Sequence, residues 1–101
     1  MHCRLIEATV FADGMEAAFE GVRSNVVPRL KELPGFMGAY WFADRDSGKF
    51  YAATFFDSQD SLDASREPAR QIRNENMQGS RVRFDAVKEF EVIATTGDKV
   101  S

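Results

Sequence analysis

Two apolar runs separated by a short polar loop constrain this chain more than any other feature. Phe36–Ala43 and Phe50–Phe56 are rich in Phe, Tyr, Trp and Thr, the residues that favour a pleated, half-buried surface. Asp44-Arg45-Asp46-Ser47-Gly48 lies between them. A connection of about three to five residues containing glycine joins two antiparallel strands into a hairpin. Alternation places Phe36, Gly38, Tyr40 and Phe42 on one face of the first strand, and Met37, Ala39, Trp41 and Ala43 on the other. The second strand sets Phe50, Ala52, Thr54 and Phe56 against Tyr51, Ala53 and Phe55. Both faces are apolar. Pairing Ala43 with Lys49 sets Trp41 opposite Tyr51 and Tyr40 opposite Ala52. Trp41 with Tyr51 and Tyr40 with Phe42 then take different faces, and the pattern alone leaves open which pair faces inward.

The flanking segments supply the other elements. Cys3–Phe11 reads as a strand. Asp13 with Glu16 resembles a capping box. Met15, Phe19, Val22, Val26, Leu30 and Leu33, with Ala18 beside them, then recur at helical spacing. Pro28 removes one backbone bond and predicts a kink, and Pro34-Gly35 ends the helix. Asp57-Ser58-Gln59-Asp60-Ser61 offers caps for a second helix with Leu62, Ala64, Ala69, Ile72 and Met77 as apolar contacts. Pro68 predicts its division into 58–67 and 68–77, and Gln78-Gly79-Ser80 a break. Arg83–Thr95 reads as a last strand, with a bulge expected at Ala86-Val87. Residues 97–101 read as a flexible tail behind a single domain over 1–96.

The order β-α-β-β-α-β predicts an α+β, ferredoxin-like domain. It has an antiparallel four-stranded sheet in the order 4-1-3-2 with two helices on one face. The helices leave the second apolar face open, and an apolar patch of that size predicts a homodimer with sheets packed face to face.

Charge and composition exclude several functions. A net charge of -3 gives no drive toward nucleic acid or an anionic membrane surface. Cys3 is the single cysteine and His2 the single histidine, which rules out an internal disulfide, a Cys/His metal site and a Ser-His-Asp triad. No apolar run approaches the roughly 18 residues of a membrane span, and Met1-His2-Cys3-Arg4 opens no signal-peptide core. A reduced, cytoplasmic setting is expected. No carboxylate pair is poised for acid–base work, and no catalytic residue stands out.

Leu33-Pro34-Gly35-Phe36 with Tyr40, then Asp46-Ser47-Gly48-Lys49, then Thr54-Phe55-Phe56-Asp57-Ser58-Gln59-Asp60-Ser61-Leu62, resembles the antibiotic-biosynthesis-monooxygenase-like family of dimeric α+β barrels. The likeness spans most of residues 3–95. Phe56 stands where that family often has Trp. The resemblance implies a cavity between sheet and helices. It also implies a small oxygenase needing no cofactor, acting on a hydrophobic aromatic or quinone-like metabolite; the alternative is a non-catalytic ligand-binding module. Haem degradation, known in the family, would need a His on the second helix, and residues 58–78 hold none.

Candidate substrate contacts are Tyr40, Trp41, Tyr51 and Phe55 from the hairpin, and Arg70, Arg73 and Asn74 from the second helix. Each has a plainer reading as packing or as a solvated face. Arg66, Arg70 and Arg73 have Glu67 and Glu75 as neighbours to pair with. Arg4 and Glu7 fall on opposite faces of the first strand, and either entering a cavity needs a partner. Cys3, without a partner base, reads as a small hydrophobe.

Overall fold

The computed structural model describes residues 1–11, 13–77 and 81–96. The hairpin forms, but its turn is tighter than the sequence suggests. β2 (Phe36–Asp44) and β3 (Lys49–Phe56) pair antiparallel with Asp44 opposite Lys49, so the turn is Arg45–Gly48. Asp44 builds this turn itself. Its carbonyl accepts the Gly48 N–H at 3.0 Å, and its carboxylate accepts the N–H of Asp46 at 3.0 Å and of Ser47 at 3.4 Å. Gly48 sits at φ 79°, and a Cβ there would stand 2.7 Å from the Val10 carbonyl oxygen. The one-residue difference moves the pairings: Trp41 lies opposite Ala52, and Phe42, not Trp41, lies opposite Tyr51.

A second shift occurs where β2 begins. Phe36 pairs with Phe56, the next pair is Gly38 with Phe55, and Met37 is the extra residue. Phe36 therefore shares a face with Phe56, their ring centroids 5.8 Å apart, while Tyr40 and Phe42 take the opposite face. Strict alternation from Phe36 had grouped these residues together.

β1 (His2–Val10) lies between β3 and β4 (Val82–Glu91), giving the expected sheet order β2-β3-β1-β4 with all pairs antiparallel. His2 pairs with Phe56 and Glu91, so the strand is ordered from that residue. The irregularity in β4 falls at Asp85, between the pairs Glu7–Ala86 and Ala8–Phe84, one residue before the expected position. The strand ends at Glu91, short of Thr95.

The first helix has three consecutive parts: α1 (Met15–Gly21), a π-helical turn (Val22–Val26) and α2 (Val27–Leu30). The Val27 N–H donates to the Val22 carbonyl, five residues back. Pro28, which has no N–H to give, enters in the first turn of α2. The expected kink takes the form of this wide turn. Asp13 does not cap the helix: Gly14 occupies the cap position, held by its N–H to the Phe11 carbonyl at 3.1 Å, and no side chain bonds the first turn. Asp13 is 95% exposed and faces Arg81 at 3.9 Å.

α3 (Gln59–Met77) runs through Pro68 without dividing. One missing bond does not outweigh the burial of Leu62, Ser65, Ala69 and Ile72 along its inner face. Ser58 caps it, its hydroxyl accepting the Ser61 N–H at 3.1 Å. Leu33–Phe36 forms a turn with Pro34 and Gly35 (φ 77°) at its centre, closed by the Phe36 N–H to the Leu33 carbonyl at 3.2 Å. A Cβ on Gly35 would come within 2.2 Å of the Ser61 hydroxyl. The Asp57 N–H donates to the Gly35 carbonyl at 2.9 Å, so the Pro-Gly-Phe turn and the Asp-Ser cap meet in space. The break at 78–80 and the tail at 97–101 lie outside the described residues.

The helices cover the face bearing Arg4, Ile6, Ala8 and Val10 of β1 with Phe50, Ala52, Thr54 and Phe56 of β3, all buried. The opposite face leaves Tyr40, Phe42 and Phe90 at 47, 50 and 48% exposure. No helix among the described residues is long and apolar enough to cross a membrane.

Candidate functional site

A cavity of about 440 Å³ lies between the sheet and the helices. Small residues on the first helix hollow it out. Gly14, Ala17, Ala18 and Gly21 recur at intervals of three and four, so they stack on one face of the helix, and all four line the cavity. Val22, Val26 and Leu30 continue that wall through the π turn. The sheet supplies Ile6, Trp41, Phe50, Ala52 and Phe84, and α3 supplies Ala69 and Ile72. The volume lies within the roughly 300–1,000 Å³ range of small-molecule sites.

Few polar groups interrupt this wall. The Thr54 hydroxyl donates to the Arg4 carbonyl at 3.4 Å. The Asn76 amide donates to the Ile72 carbonyl at 2.8 Å and its oxygen accepts from Asn25 at 3.2 Å. Asp13 and Arg81 also contribute to the lining. The remaining polar groups are two arginines, Arg4 and Arg73.

Arg4 is 1% exposed. Its Nε and Nη2 donate to Glu89 at 3.2 and 3.0 Å, and Nη2 also donates to the Leu62 carbonyl at 3.1 Å. Its guanidinium stands 5.7 Å from the centre of the Phe56 ring. Arg66 grips Glu89 from the solvent side at 2.6 and 3.1 Å and also reaches Asp63 at 2.9 Å. Hydrogen bonds from Arg66, and then Arg4, hold the Glu89 carboxyl below the usual carboxylate range. Burial, then the neighbouring charges of Arg4 and Arg70, push the Arg73 guanidinium below its ordinary value. Nη1 of Arg4 and Nη1 of Arg73 are both buried without a hydrogen-bond partner.

The expected contact residues divide. Trp41 and Arg73 line the cavity. Tyr51 and Phe55 lie on the open face because they alternate with the buried Phe50, Ala52, Thr54 and Phe56, and the Asp44–Lys49 register puts Tyr40 there with them. There Tyr51 stacks on Phe42, ring centroids 5.5 Å apart at 20°. Arg70 is exposed and paired with Glu67, the plainer reading of that residue, and Asn74 is exposed on α3 outside the lining. Glu75 pairs instead with Arg29 at 2.8 Å. Glu7 faces the open side, bound to Lys88 at 2.9 Å. Burial pushes the Cys3 thiol up, in keeping with an inert side chain. The stripe of small residues escaped the candidate set, and of Arg4 and Glu7, either of which would need a partner in a cavity, Arg4 is the one that turns inward. The stripe was legible as Gly14, Ala17, Ala18 and Gly21 at helical spacing, and Arg4 as a charge alternating with Ile6, Ala8 and Val10.

This arrangement can enclose an apolar ligand and offer it guanidinium hydrogen bonds at one end. No His or Cys lines the cavity, so it has no axial ligand of those types for a haem iron. No cluster of His, Cys, Asp or Glu suited to a metal ion occurs among the described residues.

No family model matches the chain. The uncharacterized protein Rv2557 of Mycobacterium tuberculosis is 31% identical over 62 residues, 61% of this chain, and the chain spans 28% of the length of that relative. Among solved structures, the heme-degrader MhuD from Mycobacterium tuberculosis, with two hemes bound in its active site, superposes with a TM-score of 0.77 at 16% identity, covering 96% of this chain and 100% of that one. SnoaB, a cofactor-independent oxygenase from Streptomyces nogalater, gives 0.71 at 15% identity over 96% of this chain and 97% of that one. An antibiotic biosynthesis monooxygenase gives 0.68 at 14% identity over 93% and 100%. The chain carries the fold of the antibiotic-biosynthesis-monooxygenase-like proteins, with the Pro34-Gly35-Phe36 turn and the Asp57-Ser58 cap of the resemblance meeting at one corner of it.

Proposed function

We propose that this protein is a small cofactor-independent monooxygenase acting on a hydrophobic aromatic or quinone-like metabolite. The observation that carries the reading is the apolar cavity of about 440 Å³ behind Trp41, which has room for fused rings and few polar groups. Similarity of fold to SnoaB, described as a cofactor-independent oxygenase, supports it. The chemistry asks little of the protein. A CH₂ flanked by aromatic rings becomes C=O, one atom of O₂ stays on that carbon, and the other leaves as water. The substrate itself supplies the electrons. The protein's part is to hold the ring system against Trp41, keep water out, and place a guanidinium where negative charge develops on the substrate oxygen.

The reading includes a homodimer formed through the open sheet face, with Tyr40, Tyr51 and Phe55 as contacts between copies rather than with substrate. Exposed Tyr40, Phe42 and Phe90 support it, since so much aromatic surface is unusual on a monomer. A cytoplasmic setting fits the single, inert Cys3. The test is oxygen uptake against a panel of anthrone and dihydroxyanthracene substrates. Uptake above the uncatalysed rate, lowered in Trp41→Ala, is expected. Binding of these compounds without any uptake would replace the oxygenase reading with that of a non-catalytic ligand-binding module.

A further inference from the structure

The cavity holds more positive charge than its own carboxylates neutralise. Arg4 and Arg73 both line it. Arg4 shares Glu89 with Arg66, and Arg66 also takes Asp63. Around this end, Arg4, Arg66 and Arg73 have Asp63 and Glu89 as their carboxylates among the described residues, which leaves one positive charge there without a counterion. The neighbouring Arg70 is matched by Glu67, and no carboxylate among the described residues stands within ion-pair distance of Arg73. Neutral groups do not fill the deficit. Thr54 and Asn76 are bonded to protein atoms, and Nη1 of each cavity arginine is buried with no acceptor. A buried guanidinium nitrogen without an acceptor is costly, and two such nitrogens on neighbouring like charges are costlier.

We infer that the cavity binds an apolar ring compound carrying a single carboxylate, with the carboxylate accepting hydrogen bonds from Arg4 and Arg73 and the rings lying along Trp41 and the glycine–alanine stripe. One negative charge matches the one uncompensated positive charge, and a planar carboxylate suits the guanidinium fork. Desolvation disfavours the charged form of Arg73, and a bound anion relieves that cost. The inference names a substrate class for the cavity and rests on the cavity being the site. It does not depend on turnover.

Isothermal titration of the full chain with 2-naphthoate and with its neutral analogue 2-naphthamide tests it. Naphthoate is expected to bind about tenfold or more tightly than naphthamide. Arg73→Met removes most of that preference while leaving naphthamide binding within about twofold. Arg70→Met, on the solvent side of the same helix, leaves both affinities unchanged. Arg4→Met is the harsher variant because Arg4 also holds Glu89, so Arg73→Met carries the test, with its thermal melt confirming a folded chain. Equal affinity for the two probes, no binding of naphthoate at millimolar concentration, or a preference untouched by Arg73→Met would overturn the inference. Naphthoate binding with no oxygen uptake on the anthrone panel would sink the oxygenase reading alone.

Discussion

The two faces of the sheet come from the same strands and differ in what they lack. The helix-covered face has apolar cover but contains unmatched hydrogen-bonding capacity, at Nη1 of Arg4 and Arg73. The open face pairs its charged groups, Glu7 with Lys88 and Asp85 with Lys49 and Arg83, but leaves Tyr40, Phe42 and Phe90 about half exposed. A face with apolar walls and short of polar partners suits the proposed ring compound with its single carboxylate. A face short of apolar cover suits the proposed homodimer, in which a second copy of the chain would supply a large apolar surface. One-residue register decides which side chains meet which need, and Trp41 and Tyr40 are neighbours in sequence on opposite sides of that division.

The largest expected effect lies on the covered face. Arg4→Met should lower unfolding free energy by about 3 kcal/mol, because Glu89 and the Leu62 carbonyl lose their inner donor. Arg66→Met, touching the same Glu89 from solvent, should cost far less. Chemical denaturation of both variants measures the contrast, and equal losses would mean that Arg4 owes nothing to its burial.

The open face should respond through assembly. Phe42→Asp places a charge in the middle of the exposed aromatics and should weaken the proposed homodimer by about a hundredfold or more. Light scattering after size exclusion reads the mass directly. A wild-type chain that stays monomeric at tens of micromolar would break the comparison at its apolar end.

A smaller effect concerns the polar edge of that face. Hydrogen bonds from Thr9, then Arg83 and Lys49, lower Asp85 to about 2. Its unfolded value is about 3.9, so Asp85 contributes stability above that pH and loses it as pH falls from about 4 to 2. Melting temperature followed across this range should drop less in Asp85→Asn than in the wild type. Parallel curves would show that the bulge owes nothing to this carboxylate. The smallest change is a gain. Gly21 has ordinary helical dihedrals, and a Cβ there meets Asn76 at an unstrained 3.6 Å. Gly21→Ala should therefore raise stability by about 0.5–1 kcal/mol, a few degrees in melting temperature, while trimming the cavity.

The sequence made the sheet order legible because element order and handedness leave few alternatives. It made the Ser58 cap and the Pro34-Gly35 turn legible because their chemistry is local. Its errors were of register. The turn loses Asp44 to the strand because that side chain bonds the turn from outside it, and Met37 bulges out, so faces counted by alternation came out wrong for Phe36. Pro68 predicted a break that buried contacts along α3 override. Among the site residues, helical spacing picked out Arg73 but could not separate it from Arg70, since facing is decided by how α3 rotates against the sheet. Arg4 needed knowledge of the covered face before its burial had meaning.

The π turn in the first helix carries a further consequence. Val22–Val26 is a helix with one residue more than an α-helix would use to climb the same distance, and the surplus widens the wall that Val22 and Val26 present to the cavity. Removing one residue between Gly21 and Val27 would restore ordinary helical spacing there. The same deletion would keep Leu30 turned to the core, because the wide turn already absorbs the extra residue, but it would set Pro28 in a continuous α-helix, where its missing N–H leaves a carbonyl unpaired. The shape of the chamber is thus set by chain length as well as by side-chain size, and insertions or deletions at this turn would retune it in steps no point substitution can reproduce.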